Sequence, residues 1–191
     1  MSANVSRAVL VVGAGVAGLA AACGLQRQGY QVTVVERNAA PKEPSGELQA
    51  RVSAFSPASI RFLASLGAWP ADSDRIRPYG NMWVWTDGDF DHVHFSAAEM
   101  GKSELGAIAE NGLIQHALYV AALKAGVQFE FEAEWSDLDN QANAVALSLQ
   151  DGRRLEAGWL VVAEGAQSKL REALGVASRG WRYEQQALVC S

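Results

Sequence analysis

An α/β fold with a mostly parallel sheet is what this sequence predicts, and three observations predict it. The apolar run Ala8-Val9-Leu10-Val11-Val12 opens directly into Gly13-Ala14-Gly15-Val16-Ala17-Gly18. A second apolar run, Gln31-Val32-Thr33-Val34-Val35, ends on Glu36, 23 residues after the first of those glycines. Between the two runs lies an alanine- and leucine-rich stretch that stops at Gly29. Strand, glycine-rich turn, helix and a second strand ending on an acid make up a dinucleotide-binding unit.

Each element follows from its residues. Three of the five residues in the first run are β-branched, which suits a strand buried on both faces. Gly13 lets the chain turn sharply, Gly15 removes the Cβ that would block a pyrophosphate, and Gly18 lets the helix lie close on the sheet. A helix is predicted over 16–28, its amino end offering unpaired N–H groups and the positive end of its dipole to phosphates. Gly29 closes it. Glu36 is placed to accept both ribose hydroxyls, and its charge repels a 2′-phosphate, so NADP is disfavoured at this site. Residues 8–25 carry no charge, so a membrane span or signal peptide is the competing reading. Their Gly and Ala content, the single basic residue before them and the strand and acid after them argue against it.

Composition narrows the function classes. The chain has 191 residues, 49% of them hydrophobic and 19% charged, enough for one large domain or a domain plus part of another. A net charge of -5 with no basic stripe excludes a nucleic-acid surface. The two cysteines, Cys23 and Cys190, are far apart and lack metal-ligand spacing, which points to a reducing, cytoplasmic setting. His92, His94 and His116 have no carboxylate or cysteine arrangement of a metal site.

Beyond Glu36 the chain alternates between helical and strand-like patterns. Residues 38–46, with Pro41 and Pro44, read as an irregular crossing. Ser56 and Pro57 form an N-cap and first-turn proline, with Ile60, Leu63, Ala64 and Leu66 as an apolar helix face ending at Gly67. Residues 81–86 and 90–95 read as strands about the turn Asp87-Gly88, an insertion that begins a second sheet. A helix over 112–125 closed by Gly126 leads to a strand over 127–131. Residues 144–149 and 154–157 flank Asp151-Gly152 as a hairpin, and 159–163 read as a short buried strand.

These residues resemble the amino-terminal half of the flavin-dependent aromatic hydroxylases, the class of p-hydroxybenzoate hydroxylase, and within it the ubiquinone-biosynthesis ring hydroxylases. The resemblance is carried by GAGVAG with VTVVER, by the arginine-led segment Arg51-Val-Ser-Ala-Phe-Ser-Pro-Ala-Ser, and by Met82-Trp-Val-Trp, residues 93–101 and Leu105-Gly-Ala-Ile-Ala-Glu-Asn. It covers nearly the whole chain. It implies a Rossmann-like FAD-binding domain in two parts, 1–78 and 107–178, with an inserted fragment of an antiparallel substrate-domain sheet at 79–106 and the start of a substrate domain at 179–191.

The resemblance also implies roles. Gly13, Gly15 and Gly18, with the backbone of Val16 and Ala17, would hold the FAD pyrophosphate, and Glu36 the adenosine ribose. Arg37 would lie along the adenine or its phosphate, Arg51 would reach the phosphate and ribityl region, and Gln115 would hydrogen-bond the cofactor. Glu164-Gly165 stands at the family's Asp-Gly position beside the pyrophosphate, with glutamate in place of aspartate. Purely structural readings stand beside these. Arg37, Arg51 and Arg171 could be surface charges, Gln115 a solvated helix position, and Glu164 a cap for the short helix that follows it. Trp83 and Trp85 alternate as one face of a strand, which points to core or sheet packing.

For the family, reduced nicotinamide, NADH or NADPH, supplies hydride to FAD, and dioxygen supplies the OH transferred to an electron-rich phenol. The protein's share is to exclude water and place the ring, so no catalytic acid, base or nucleophile is nominated here. A polyprenylated phenol substrate implies contact with the inner membrane or with a ubiquinone-biosynthesis assembly, without a transmembrane segment. The family's Gly-Asp motif has no match here, and the expectation is a truncated chain from a parent about twice as long, inactive alone and weak in FAD binding. Two other readings stay open: a related flavoenzyme, such as a halogenase or prenyl-chain reductase, and a non-catalytic nucleotide-binding or assembly module.

Overall fold

A computed structural model describes residues 7–86, 88 and 91–187. At its centre is a four-stranded parallel sheet. Strand β1 (Ala8–Val12) is followed by helix α1 (Val16–Arg27) and strand β2 (Gln31–Val35). A second βα pass adds helix α3 (Asn111–Ala125) and strand β8 (Gln128–Glu130), and strand β12 (Trp159–Val162) returns to the other side of β1. The order is β12-β1-β2-β8, all in parallel register.

The apolar run of β1 is continuous because both faces of the sheet are covered. Val9 and Val11, with Val32 and Val34 of β2, pack against α1 and α3 through Leu19, Cys23, Leu113, Ile114 and Leu118. Leu10 and Val12, with Val35, face a three-stranded antiparallel meander through Val145, Leu147, Leu149 and Ala157. That meander is β11-β10-β9, from β9 (Trp135–Gln141), β10 (Ala144–Leu149) and β11 (Arg154–Ala157). The middle strand of a three-layer sandwich has no polar face to show, and its sequence shows none.

Helix ends are set by local chemistry. Gln28 caps α1, one residue earlier than the sequence predicts, and Gly29 follows at φ +87, a region costly for any residue with a Cβ. Gly126 ends α3 at φ +92 in the same way. In helix α2 (Pro57–Ser65) the Ser56 hydroxyl accepts the Ser59 N–H at 3.2 Å, as its N-cap pattern predicts. Leu63 and Leu66 are buried. Ala64 is a correction: it is exposed.

The chain between β2 and α3 forms two further antiparallel sheets. Strands β3 (Val52–Phe55), β4 (Ile76–Tyr79) and β7 (Gly106–Glu110) pair in the order β3-β7-β4. Strands β5 (Asn81–Trp85) and β6 (His92–Ser96) form a two-stranded ribbon. Asp87 and Phe90 of the expected turn and second strand lie outside the described residues, as does Cys190. In the ribbon Trp83 stacks on its cross-strand partner His94 at 3.8 Å between ring centroids. Trp83 is thus a packing residue of the ribbon, and neither tryptophan belongs to the core: Trp83 is 51% and Trp85 68% exposed.

One expectation for the last third needs correction. Strand β12 is an edge strand with Trp159 63% exposed and the rest half-buried, not a buried strand, because nothing pairs on its outer side among the described residues. Residues 179–187 contain no strand, and 188–191 lie outside the described residues.

Candidate functional site

A cleft of about 670 Å³ opens at the carboxyl ends of the parallel strands, lined by Gly13, Gly15, Glu36, Arg37, Arg51, Gln115 and Glu164 among others. Its place follows from topology. The chain leaves β1 toward β2 on one side and comes back as β12 on the other, and a crevice forms where the strand order switches.

The three glycines of the loop differ in what surrounds them. Gly13 is buried at φ +108, and its N–H donates to Val35 O at 2.9 Å, extending the β1-β2 ladder. A Cβ there would collide with the Ala163 carbonyl. A Cβ on Gly18 would collide with the Gly13 carbonyl oxygen and lie 3.1 Å from Ala163 Cβ, so the bare glycine lets α1 start against the β12 end. Gly15 is different: a Cβ there meets nothing within 4 Å and would point into open space at the cleft. Gly15, half-buried Val16 and exposed Ala17 lead the first turn of α1, which has no side-chain cap and no acid. Its free N–H groups and dipole favour an anion.

Glu36 turns toward that loop. Its Oε2 accepts the Ala14 N–H at 2.7 Å, and Oε1 accepts the Asn38 N–H and side-chain amide at 2.8 and 2.6 Å. Asn38, two residues on, therefore fixes the carboxylate, a role that no sequence motif marks. Across the cleft Gln115 donates from Nε2 to Ala14 O at 2.6 Å. Its amide braces the loop from α3, and its side chain lines the cleft.

Three cations stand at the rim. Arg37 and Arg51 are exposed, line the cleft and form no ion pair with another described residue. Lys169 pairs with Glu134 at 3.0 Å, and that hydrogen bond holds the Glu134 carboxyl below its usual range. Arg171 takes no part: it donates to Ala166 O at 3.1 Å at the end of the 164–168 turn.

Glu164 faces inward. Its Oε1 accepts the Trp135 indole N–H at 3.0 Å, and its Oε2 accepts the Ser168 hydroxyl at 2.6 Å and the Leu170 N–H at 2.9 Å. Ser168 in turn caps helix α4 (Lys169–Ala173) by accepting the Arg171 N–H at 3.1 Å. Burial raises the Glu164 pKa, but the hydrogen bonds from Ser168, Trp135 and Leu170 outweigh it and leave the carboxyl below the usual range. The N-cap of α4 is thus Ser168 and not Glu164, which serves the helix only by accepting the Leu170 N–H, and what the turn presents to the cleft alongside it is Gly165, Ala166 and Gln167.

The residues present fit a dinucleotide such as FAD. A cleft floored by uncapped helix amides, with open space where a Cβ is missing, a carboxylate at the next strand end and unpaired guanidinium groups on the rim matches a diphosphate flanked by a ribose. Among the described residues no cluster of His, Cys, Asp or Glu could hold a metal, and no helix is long and apolar enough to cross a membrane.

The comparisons agree with this geometry. The FAD binding domain family matches residues 6–189. The 3-demethoxyubiquinol 3-hydroxylase of Escherichia coli K12 is 33% identical over 187 residues, which cover 96% of this chain and 47% of that protein. The mitochondrial ubiquinone biosynthesis monooxygenase COQ6 of Mus musculus is 30% identical over 207 residues, covering 100% and 43%. A solved ternary complex of aklavinone-11 hydroxylase with FAD and aklavinone superposes at a TM-score of 0.66 and 28% identity, over 88% of this chain and 35% of that one. The chain spans less than half the length of these curated relatives. It belongs to the FAD binding domain family, among relatives that are ubiquinone-biosynthesis hydroxylases.

Proposed function

We propose that this chain is the FAD-binding portion of a flavin-dependent monooxygenase that hydroxylates an aromatic ring, a polyprenylated phenol of ubiquinone biosynthesis, with NADH or NADPH and dioxygen. The observation that carries the reading is the junction of Gly15 and Glu36: an open, Cβ-free path over uncapped helix amides, with a carboxylate held at its edge by Ala14 and Asn38. When bound, FAD supplies the redox chemistry. The chain's own residues do the rest.

In this reading the N–H groups of Gly15, Val16 and Ala17 bind the diphosphate, and Gly13 and Gly18 give the loop its shape. Glu36 accepts the ribose hydroxyls, and Arg37 and Arg51 add positive charge toward the phosphates and the ribityl chain. Gln115 keeps the loop carbonyl of Ala14 turned away from the anion. Glu164 braces the opposite wall. Residues 1–78 and 107–178 then form the FAD-binding unit, 79–106 belongs to an inserted substrate-domain sheet, and 179–191 leads into that domain. A lipid-like substrate brings the intact protein to the inner-membrane surface from the cytoplasmic side, with other ubiquinone-biosynthesis proteins as its partners.

Calorimetric titration with ADP, 2′-phospho-ADP and FAD tests the site. ADP should bind, and 2′-phospho-ADP should bind at least about tenfold more weakly, since a second negative charge would face Glu36 at close range. Glu36→Ala should narrow that ratio. FAD should bind no tighter than the micromolar range, because affinity depends on the sum of the contacts made. Equal affinity for the two adenosine nucleotides, or none for ADP, would overturn the reading.

A further inference from the structure

Outside the cleft, an ion pair between buried Glu110 and half-buried Arg75 grips the segment that leads into β3. Glu110, the last residue of β7, is 2% exposed, and its two carboxylate oxygens accept from Arg75 Nη1 at 2.7 and 2.9 Å. Both partners have spare hydrogen-bonding capacity, and both spend it on the same loop. Arg75 Nη2 donates to Gly46 O at 2.5 Å, and Glu110 Oε2 also accepts the Gln49 N–H at 3.2 Å. The next residue, Asn111, donates its N–H to Arg51 O at 3.0 Å. One junction, the end of β7 and the start of α3, thus holds the loop at Gly46, Gln49 and Arg51.

The loop also lies hard against that junction. A Cβ on Gly112 would come within 2.9 Å of Gln49 Oε1 and 3.3 Å of Pro44 Cγ, so the loop's side chains lie against the first turn of α3. One turn further along α3, Gln115 reaches the Ala14 carbonyl. The amino end of α3 therefore ties the glycine loop and the Arg51 loop to one rigid body. Two desolvated charges are a costly way to fill space, and an apolar pair of similar volume would serve a core as well or better. An apolar pair, however, offers no donor to Gly46 O and no acceptor to the Gln49 N–H, which would leave these exposed backbone groups to water and the loop without its tether.

We propose that Arg75 and Glu110 are positioning residues: they fix residues 46–51 and thereby set where Arg51 stands on the rim of the cleft. Their consequence for FAD rests on the proposed reading of that cleft. Neither side chain lines it, so their effect reaches a ligand only through the loop.

Hydrogen exchange and titration on the variants Arg75→Lys and Glu110→Gln test this, with Arg75→Met/Glu110→Leu as a variant that fills the same volume without the loop hydrogen bonds. Exchange at the Gln49 and Val52 amides, the N–H groups of this loop that have acceptors, should quicken at least tenfold in all three, with the amides of β1 and β2 unchanged. The affinity for FAD should fall at least tenfold while that for ADP, which uses the glycine loop and Glu36, stays within about twofold. Unchanged exchange in the loop, or an equal loss of ADP and FAD affinity, would overturn the proposal. The exchange measurement needs no ligand, so a wild-type chain that binds neither nucleotide would sink the cleft reading while the clamp is still judged by its own result.

Discussion

Two glycines of one motif, Gly15 and Gly18, should respond in opposite ways to the same added methyl group. At Gly15 the backbone has φ -72 and ψ 176, open to any residue, and a Cβ has no neighbour within 4 Å. Gly15→Ala gains a few tenths of a kcal/mol up to about 1 from lower unfolded-state entropy and gives back a similar amount as a poorer N-cap. Its stability should therefore stay within about 0.5 kcal/mol of wild type. At Gly18 the methyl would overlap the Gly13 carbonyl oxygen and crowd Ala163 Cβ at 3.1 Å. Relief requires α1 to lift off β1 and β12, an overpacking cost of about 1–3 kcal/mol or more. Nucleotide affinity should run the other way for Gly15. A Cβ in the diphosphate path lengthens hydrogen bonds to charged oxygens worth about 1.5–3 kcal/mol each, or roughly a 10- to 150-fold loss for ADP. Urea denaturation and ADP titration on the two variants give four numbers. A Gly15→Ala protein of normal stability that binds ADP as wild type does would refute the placement of the diphosphate over this loop.

Two further outcomes follow from the braced turn and the core. The folded-state pKa of Glu164 is depressed, so its hydrogen-bonded carboxylate contributes stability that is full above the unfolded value, roughly pH 4.3, and is lost as the pH falls through the folded value. The urea midpoint of wild type should thus drop more steeply below about pH 4.5 than that of Glu164→Gln, and parallel curves would count against the brace. Cys23 is fully buried between α1 and the sheet, and burial pushes its thiol pKa up. In a Cys190→Ser background the native chain should resist a disulfide reagent for hours and react fully in denaturant; fast native reaction would contradict the packing of α1.

How much of this was legible in the sequence depends on how many faces each strand buries. Strands β1 and β2 announce themselves because helices cover one face and the meander the other, so nearly every residue had to be apolar. Strand β7, Gly-Ala-Ile-Ala-Glu, is as buried but built of small residues with little strand preference, and it runs directly into α3, so it carried no signal of its own. Strand β9 was missed for the opposite reason. Its Ser-Asp-Leu-Asp-Asn core is polar, only Trp135 and Leu138 pack inward, and pairing with β10 rather than local preference makes it a strand. The run at β12 looked buried because apolar composition cannot tell a central strand from an edge.

The candidate site shows the same division between what a motif fixes and what only three dimensions supply. Glycines and Glu36 were placed by spacing, because a tight turn, a missing Cβ and a strand-end carboxylate each need one residue type at one position. The partners that aim those residues were not, since Asn38, Trp135 and the Arg75–Glu110 pair act through distance in space and share no spacing rule. Glu164 makes the case sharpest. Where the resemblance expects aspartate, the longer acid reaches the Leu170 N–H, the Ser168 hydroxyl and the Trp135 indole at once, and so ties the start of α4 to the start of β9. The added methylene matters less as a displacement of charge at the cleft than as the reach that lets one carboxylate join two elements. The side chain then serves the cleft by holding the turn at Gly165, whose φ of +81 only a glycine adopts without strain.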